Sequence, residues 1–194
     1  MGAVRPFFVW MDAVRPFFIL GDMCMNARGK NMAQGAMIAA LYVALTHFQN
    51  LLIPNSASFA IQFRASEALC VLAFFTPSAI PGLTVGCMLF NFTAVGALPL
   101  DVPVGGLATL LATWVMWKTR TITLGDVPVL GLLMPAVFNA VLVGWELAVY
   151  IGGGFWLNAL YVAIGEAAVL LTLGWLLYRT VKKQRLDVLL FGKY

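Results

Sequence analysis

Charge is scarce in this chain of 194 residues, where charged side chains make up 10% and hydrophobic ones 62%. A soluble domain is roughly 25% charged, and with a mean hydropathy of +0.92 this chain has far too much apolar surface for a soluble core to hide. Histidine occurs once and cysteine three times (Cys24, Cys70, Cys87), without a C-x-x-C or paired spacing, so neither a disulfide framework nor a zinc site is indicated. The cysteines read as small buried hydrophobes. His47 has no cysteine or carboxylate at metal-ligand spacing and reads as a polar helix-end residue. G-x-x-x-x-G-K-[ST], G-x-S-x-G and H-E-x-x-H are all missing, which excludes a phosphate loop, a hydrolase elbow and a zincin helix. No cofactor is implied. If transport needs ATP, another subunit must supply the engine. Carboxylates alone permit a membrane-embedded enzyme, but no D-x-x-D cluster or histidine pair supports metal-assisted chemistry.

What is present is apolar sequence in long stretches. A helix needs about 20 mainly apolar residues to cross a bilayer, and Pro, Gly and charge divide the chain into six such stretches. Barrel strands would alternate with a period of two, and no such alternation is seen. The expected fold is therefore all-α, a polytopic six-helix membrane bundle. The spans are expected at about 33–52, 64–75, 81–97, 103–117, 127–150 and 155–178. The second and fourth are short, so they are expected to tilt little or to end in irregular backbone facing a cavity. Arg28 and Lys30 precede the first span, Lys118 and Arg120 separate the fourth and fifth, and Arg179, Lys182, Lys183 and Arg185 follow the sixth. Alternating helices put all of these on one side, with both termini in the cytoplasm by the positive-inside rule. The domain reading is an extension over 1–31, a six-helix transmembrane domain over 32–181 and a cytoplasmic tail over 182–194. The extension carries AVRPFF twice, at Ala3–Phe8 and Ala13–Phe18, and is expected to be flexible or interfacial, or an over-long gene start.

Burying a charge at membrane depth costs at least ~2.5–3.5 kcal/mol, so such groups normally face a cavity, a partner or a substrate. By depth, Glu67, Asp101 and Glu146 belong to the outer half and Glu166 lies near the middle. Gln62, Asn91, Asn139, Trp145, Trp156, Asn158 and Tyr161 join them. Asn158, Tyr161 and Glu166 recur at helical spacing, as do Asn139 and Glu146, so each set shares a stripe. Arg64 and Glu67, three apart, can pair, and then serve packing alone; Trp156 and Tyr161 can equally be interfacial belt aromatics. On the first span Ala36, Ala40 and Ala44 form a small-xxx-small ladder beside Gly35 and Ala39, which lets another helix, internal or external, approach closely.

The segments QGAMIAALYVALT, AIQFRASEALCVLAFFTPSAIPGLTVGCMLFN, DVPVGGLATLLATW, FNAVLVGWELA and FWLNALYVAIGEAAVL resemble, over about residues 33–180, the queuosine-precursor transporter family, the QueT-type substrate-binding components of energy-coupling-factor transporters. QFR-x-SE and WLNALYVAIGE carry most of the specificity. The resemblance implies a six-helix subunit that captures a 7-deazaguanine (preQ1, preQ0 or queuine) outside and associates with a membrane scaffold subunit and two ATPases. It implies that Ala36, Ala40 and Ala44 dock on the scaffold and that about 53–63 gates the pocket. A guanine-like edge offers adjacent N–H donors to one carboxylate, and its ring wants aromatic stacking. Glu67, Glu146 or Glu166 can accept, Trp145, Trp156 or Tyr161 can stack, and Asn91, Asn139 and Asn158 can orient. Gln62, Arg64 and Asp101 complete the candidate set. Other readings are a stand-alone proton-coupled carrier with Glu146 or Glu166 as proton site, an S component for a different vitamin, and a structural or assembly subunit.

Overall fold

The computed structural model describes residues 26–53, 63–94 and 96–191. The tandem repeat, Gln62 and nearly all of the expected gating segment lie outside the described residues.

Helix α1 spans Ala27–Leu52, beginning six residues before the expected Ala33. Its start is set by Asn26, whose side chain accepts the Gly29 N–H at 2.8 Å and so satisfies one of the free donors of a helix N-terminus. The second span is a 3₁₀ helix, Ala65–Phe74, with every residue from Ser66 to Phe74 buried. Ten residues at the 3₁₀ rise reach about 20 Å, against about 15 Å as an α-helix. The tighter winding lets a short segment run deeper into the bundle. There follow α2 (Ala79–Thr93) and α3 (Asp101–Thr119), the latter 19 residues long and fuller than its apolar pattern suggested. The fifth span is broken into α4 (Val129–Leu132) and α5 (Met134–Tyr150). Pro135, in the first turn of α5, has no N–H to continue the ladder, which explains the break at Leu133. The sixth is α6 (Phe155–Val169), a π turn at Leu170–Gly174, and α7 (Trp175–Lys183). Ala27–Leu52, Val129–Tyr150 and Phe155–Lys183 are each long and apolar enough to cross a membrane.

Glycines set how closely the helices approach. A Cβ on Gly82 would lie 2.5 Å from the Gly35 carbonyl oxygen, and one on Gly86 would lie 2.9 Å from Tyr42 Cβ. Gly35 with Gly82 and Ala39 with Gly86 advance together, so α1 and α2 run parallel. On the other side of the bundle Gly144 of α5 meets Ala159 of α6, where a Cβ would sit 2.8 Å from the Ala159 Cα. Between these contacts lies a core that includes Leu69, Val71, Phe74, Leu83, Phe90, Met116, Leu132 and Leu170.

The two ends differ in charge. At one, Lys182 Nζ reaches the Asp126 carbonyl at 3.5 Å, and four cations lie over aromatic rings: Lys118 over Trp114, Arg120 over Trp117, Arg179 over Trp175 and Lys182 over Tyr178, the closest at 3.7 Å for Arg120. This is the basic end. Here the chain turns through Arg185, at φ 51°, into a short helix α8 (Leu186–Phe191). The Gln34 amide donates to the Leu190 carbonyl at 3.0 Å, and Phe191 is buried in the core. Residues 186–191 thus fold back against the start of α1. At the far end His47 contacts Thr93 at 3.0 Å, and Asn91 joins α2 to the start of α3.

Candidate functional site

Polar side chains gather in the interior around Tyr42, a residue that the sequence reading passed over. Tyr42 is completely buried on α1. Its hydroxyl donates to Glu67 Oε1 at 2.5 Å and accepts from Arg64 Nη1 at 3.5 Å. The Cys70 thiol donates to Glu67 Oε2 at 3.2 Å, so both oxygens of this carboxylate have donors. Arg64 also points an Nη1 at Cys87 Sγ, 3.8 Å away, and its guanidinium lies over the Phe90 ring at 5.3 Å. Tyr42 thus bridges Arg64 and Glu67, the two residues three apart in the sequence. The signal for Tyr42 was its place on the Gly35, Ile38, Ala39 stripe: a phenol inside an otherwise apolar buried face needs a partner.

The same end of the 3₁₀ helix is tied to α1 by side chains. Thr46 Oγ1 lies 2.6 Å from Ser66 Oγ. Gln49 accepts the Ala65 N–H at 2.7 Å and donates to the Phe63 carbonyl. These bonds satisfy backbone groups at a helix start that has no side-chain cap of its own.

Glu166, on α6 four residues before the π turn, completes the central group. It is 0% exposed and within electrostatic reach of Glu67 and Arg64. Asn139 of α5 sits beside it without closing a hydrogen bond to it. Among the described residues no donor reaches either Glu166 oxygen. Toward the far end, Glu146 of α5 is also 0% exposed and both of its oxygens likewise have no donor among the described residues. Its carboxyl faces Asp101, the first residue of α3. Asp101 accepts the Leu98 N–H at 2.5 Å. Asn91 donates to the Asp101 carbonyl at 2.7 Å, an approach that needs glycine at 105, where a Cβ would come within 2.5 Å of Asn91 Nδ2.

The remaining candidates fall differently. Asn158 is buried and donates to the Gly152 carbonyl at 2.8 Å. It thereby braces the turn of three glycines, Gly152 to Gly154, all at positive φ, a conformation glycine adopts without steric cost. Tyr161 is half-buried. Trp156 is 83% exposed, stacked edge-on to Phe155 at 5.0 Å, and Trp145 is half exposed. These two tryptophans face outward, away from the buried carboxylates. Ala36, Ala40 and Ala44 are all exposed, whereas Gly35 and Ala39 are buried against α2. The two small-residue stripes of α1 thus separate, one packed internally and one facing outward. A groove of about 510 Å³ runs beside them, lined by Met32, Ala36, Ala39, Pro77, Pro81 and Val85 among others.

A helical bundle with spans of membrane length and carboxylates buried in its interior is a polytopic membrane protein built around a polar centre. Residues 32–183 match the model of the QueT transporter family, and the chain belongs to that family. It is 46% identical over 77 residues to the queuosine precursor transporter QueT of Lactococcus lactis subsp. cremoris (strain MG1363). That match covers 39% of this chain and 43% of the relative, less than half of its length. No solved structure matches the chain.

Proposed function

We propose that this protein is the substrate-binding subunit of an energy-coupling-factor importer for a queuosine precursor, a 7-deazaguanine such as preQ1, preQ0 or queuine. The observation that carries the reading is the pair of buried glutamates, Glu146 and Glu166, with four oxygens that no donor among the described residues reaches. An unpaired buried carboxylate is costly, and a guanine-like edge brings the adjacent N–H donors that would satisfy one in a bidentate pair. Glu67 is already supplied by Tyr42 and Cys70, so in this reading it and Arg64 shape the floor of the site. Asn91, Asn139 and Asn158 orient the ring, Tyr161 stacks on it, Trp156 belongs to the mouth, and Gln62 remains a candidate contact by sequence alone.

The basic end lies in the cytoplasm in this reading, because lysine and arginine are retained on that side. Ligand then enters from outside at the far end. The exposed face of Ala36, Ala40 and Ala44 supports docking on a scaffold subunit, since small outward residues let a partner helix approach closely in lipid. Two ATPase subunits would supply the energy.

The test is equilibrium binding of preQ1, preQ0 and queuine to the purified full chain in nanodiscs, alongside uptake by proteoliposomes that contain it alone. Saturable binding of at least one precursor, with no uptake by the chain alone, is expected. No binding, or tighter binding of an unrelated vitamin, overturns the substrate. A buried glutamate such as Glu146 or Glu166 also suits a proton-coupled carrier, and uptake by the chain alone that an uncoupler abolishes would establish that reading instead.

A further inference from the structure

We propose that Glu146 and Asp101 form a subsite for a protonated amine, so that the transported 7-deazaguanine is one that carries a cationic side arm. The inference rests on the deazaguanine reading above and narrows it.

Three observations converge on the far end. Glu146 is fully buried near the C-terminal end of α5, and neither of its oxygens has a donor among the described residues. Val143 and Leu147, on either side of it in α5, pack against Leu98 and Val104, which bracket a second carboxyl, Asp101; Asp101 opens α3 and spends one oxygen on the Leu98 N–H at 2.5 Å. Among the described residues no cation pairs with either of these two carboxyls. The connections 53–63, 94–100 and 151–154 contain no lysine, arginine or histidine. Arg64, next in line after the first of these, is engaged at the centre with Tyr42, Cys87 and the Phe90 ring. His47 is held by Thr93 at 3.0 Å and packs edge-on against Phe90.

A fully buried carboxyl held against a second, partly exposed one is costly to ionise without a countercharge. A ligand that brings its own cation supplies one. The valence of the site matches an ammonium, which offers three N–H donors; a hard divalent ion takes about six or more oxygens. Glu146 contributes two acceptors and Asp101 the oxygen that Leu98 leaves over. Glu166, deeper in the bundle, remains for the N–H donors of the ring edge. Cation and ring edge then address different carboxylates, which fixes the direction in which the ligand lies.

The experiment compares two 7-deazaguanines that differ at one substituent, the aminomethyl compound preQ1, cationic at neutral pH, and the nitrile preQ0, which is neutral. Affinities are measured by calorimetry on the full chain in nanodiscs, for wild type, Glu146→Gln and Asp101→Asn, with thermal unfolding of each variant recorded. Wild type is expected to favour the aminomethyl compound by about 10- to 100-fold, as charge-assisted hydrogen bonds warrant. Glu146→Gln is expected to reduce that ratio to within about threefold, and Asp101→Asn to reduce it in the same direction; either variant suffices if the other unfolds early. Equal affinity of the two compounds for wild type overturns the subsite, as does a ratio retained in both variants. Binding of neither compound overturns the deazaguanine reading itself, an outcome distinct from binding without preference.

Discussion

Glu67, in the half of the bundle built from α1, the 3₁₀ helix and α2, and Glu166, on α6, are equally buried, at 1% and 0% exposure. Both lie within electrostatic reach of Arg64. Yet Glu67 is fully furnished, by the Tyr42 hydroxyl and the Cys70 thiol, while no donor among the described residues reaches Glu166. The difference teaches that burial alone does not mark a binding group in a membrane protein. What separates a structural carboxylate from a receptive one is whether the surrounding helices already meet its acceptors.

That contrast can be broken by mutation. The largest effect is expected from Glu67→Ala, which leaves the Tyr42 hydroxyl without its acceptor and removes the negative charge that faces Arg64 in the interior. Removing one partner of a buried charged group costs about 3–5 kcal/mol, to be read from unfolding of the purified chain in nanodiscs; a wild-type stability would show that the Tyr42 cluster does not hold the bundle together. Next comes Gly82→Ala, at about 1–3 kcal/mol. Its new methyl would meet the Gly35 carbonyl at 2.5 Å, and backbone cannot rotate away as a side chain can. Smallest in stability is Glu166→Gln, expected within about 0.5 kcal/mol of wild type or above it, because the change replaces a buried carboxyl whose oxygens have no donor among the described residues. Its cost should appear in ligand affinity instead. If Glu166→Gln destabilises as much as Glu67→Ala, the two glutamates are equivalent and the comparison fails.

Much of the framework could be read from the chain before its structure. Proline, glycine and charge punctuated the spans, and Lys118, Arg120, Arg179 and Lys182 do gather at one end, each over an aromatic ring. Cys70 and Cys87, read as buried small residues, are buried and unbridged. The irregular windings were hidden, because local propensity does not distinguish 3₁₀ from α in ASEALCVLAF; tertiary bonds such as those from Gln49 and Thr46 decide it. Tyr42 escaped for a related reason, since spacing reports which face a residue shares but not what waits opposite it. The satisfied state of Glu67 and the unsatisfied state of Glu166 depend on contacts between spans that no single helix encodes.

The π turn at Leu170–Gly174 adds a consequence of its own. Such a turn amounts to one residue more than an α-helix would carry, and each residue rotates an α-helix by about 100°. It acts as a phase shifter between Glu166 above it and Tyr178 below, letting the upper stretch present its carboxylate inward while the lower stretch keeps its own face on Phe74 and Phe75. Deleting a single residue there would leave a longer, more regular helix whose two ends could no longer both face the interior.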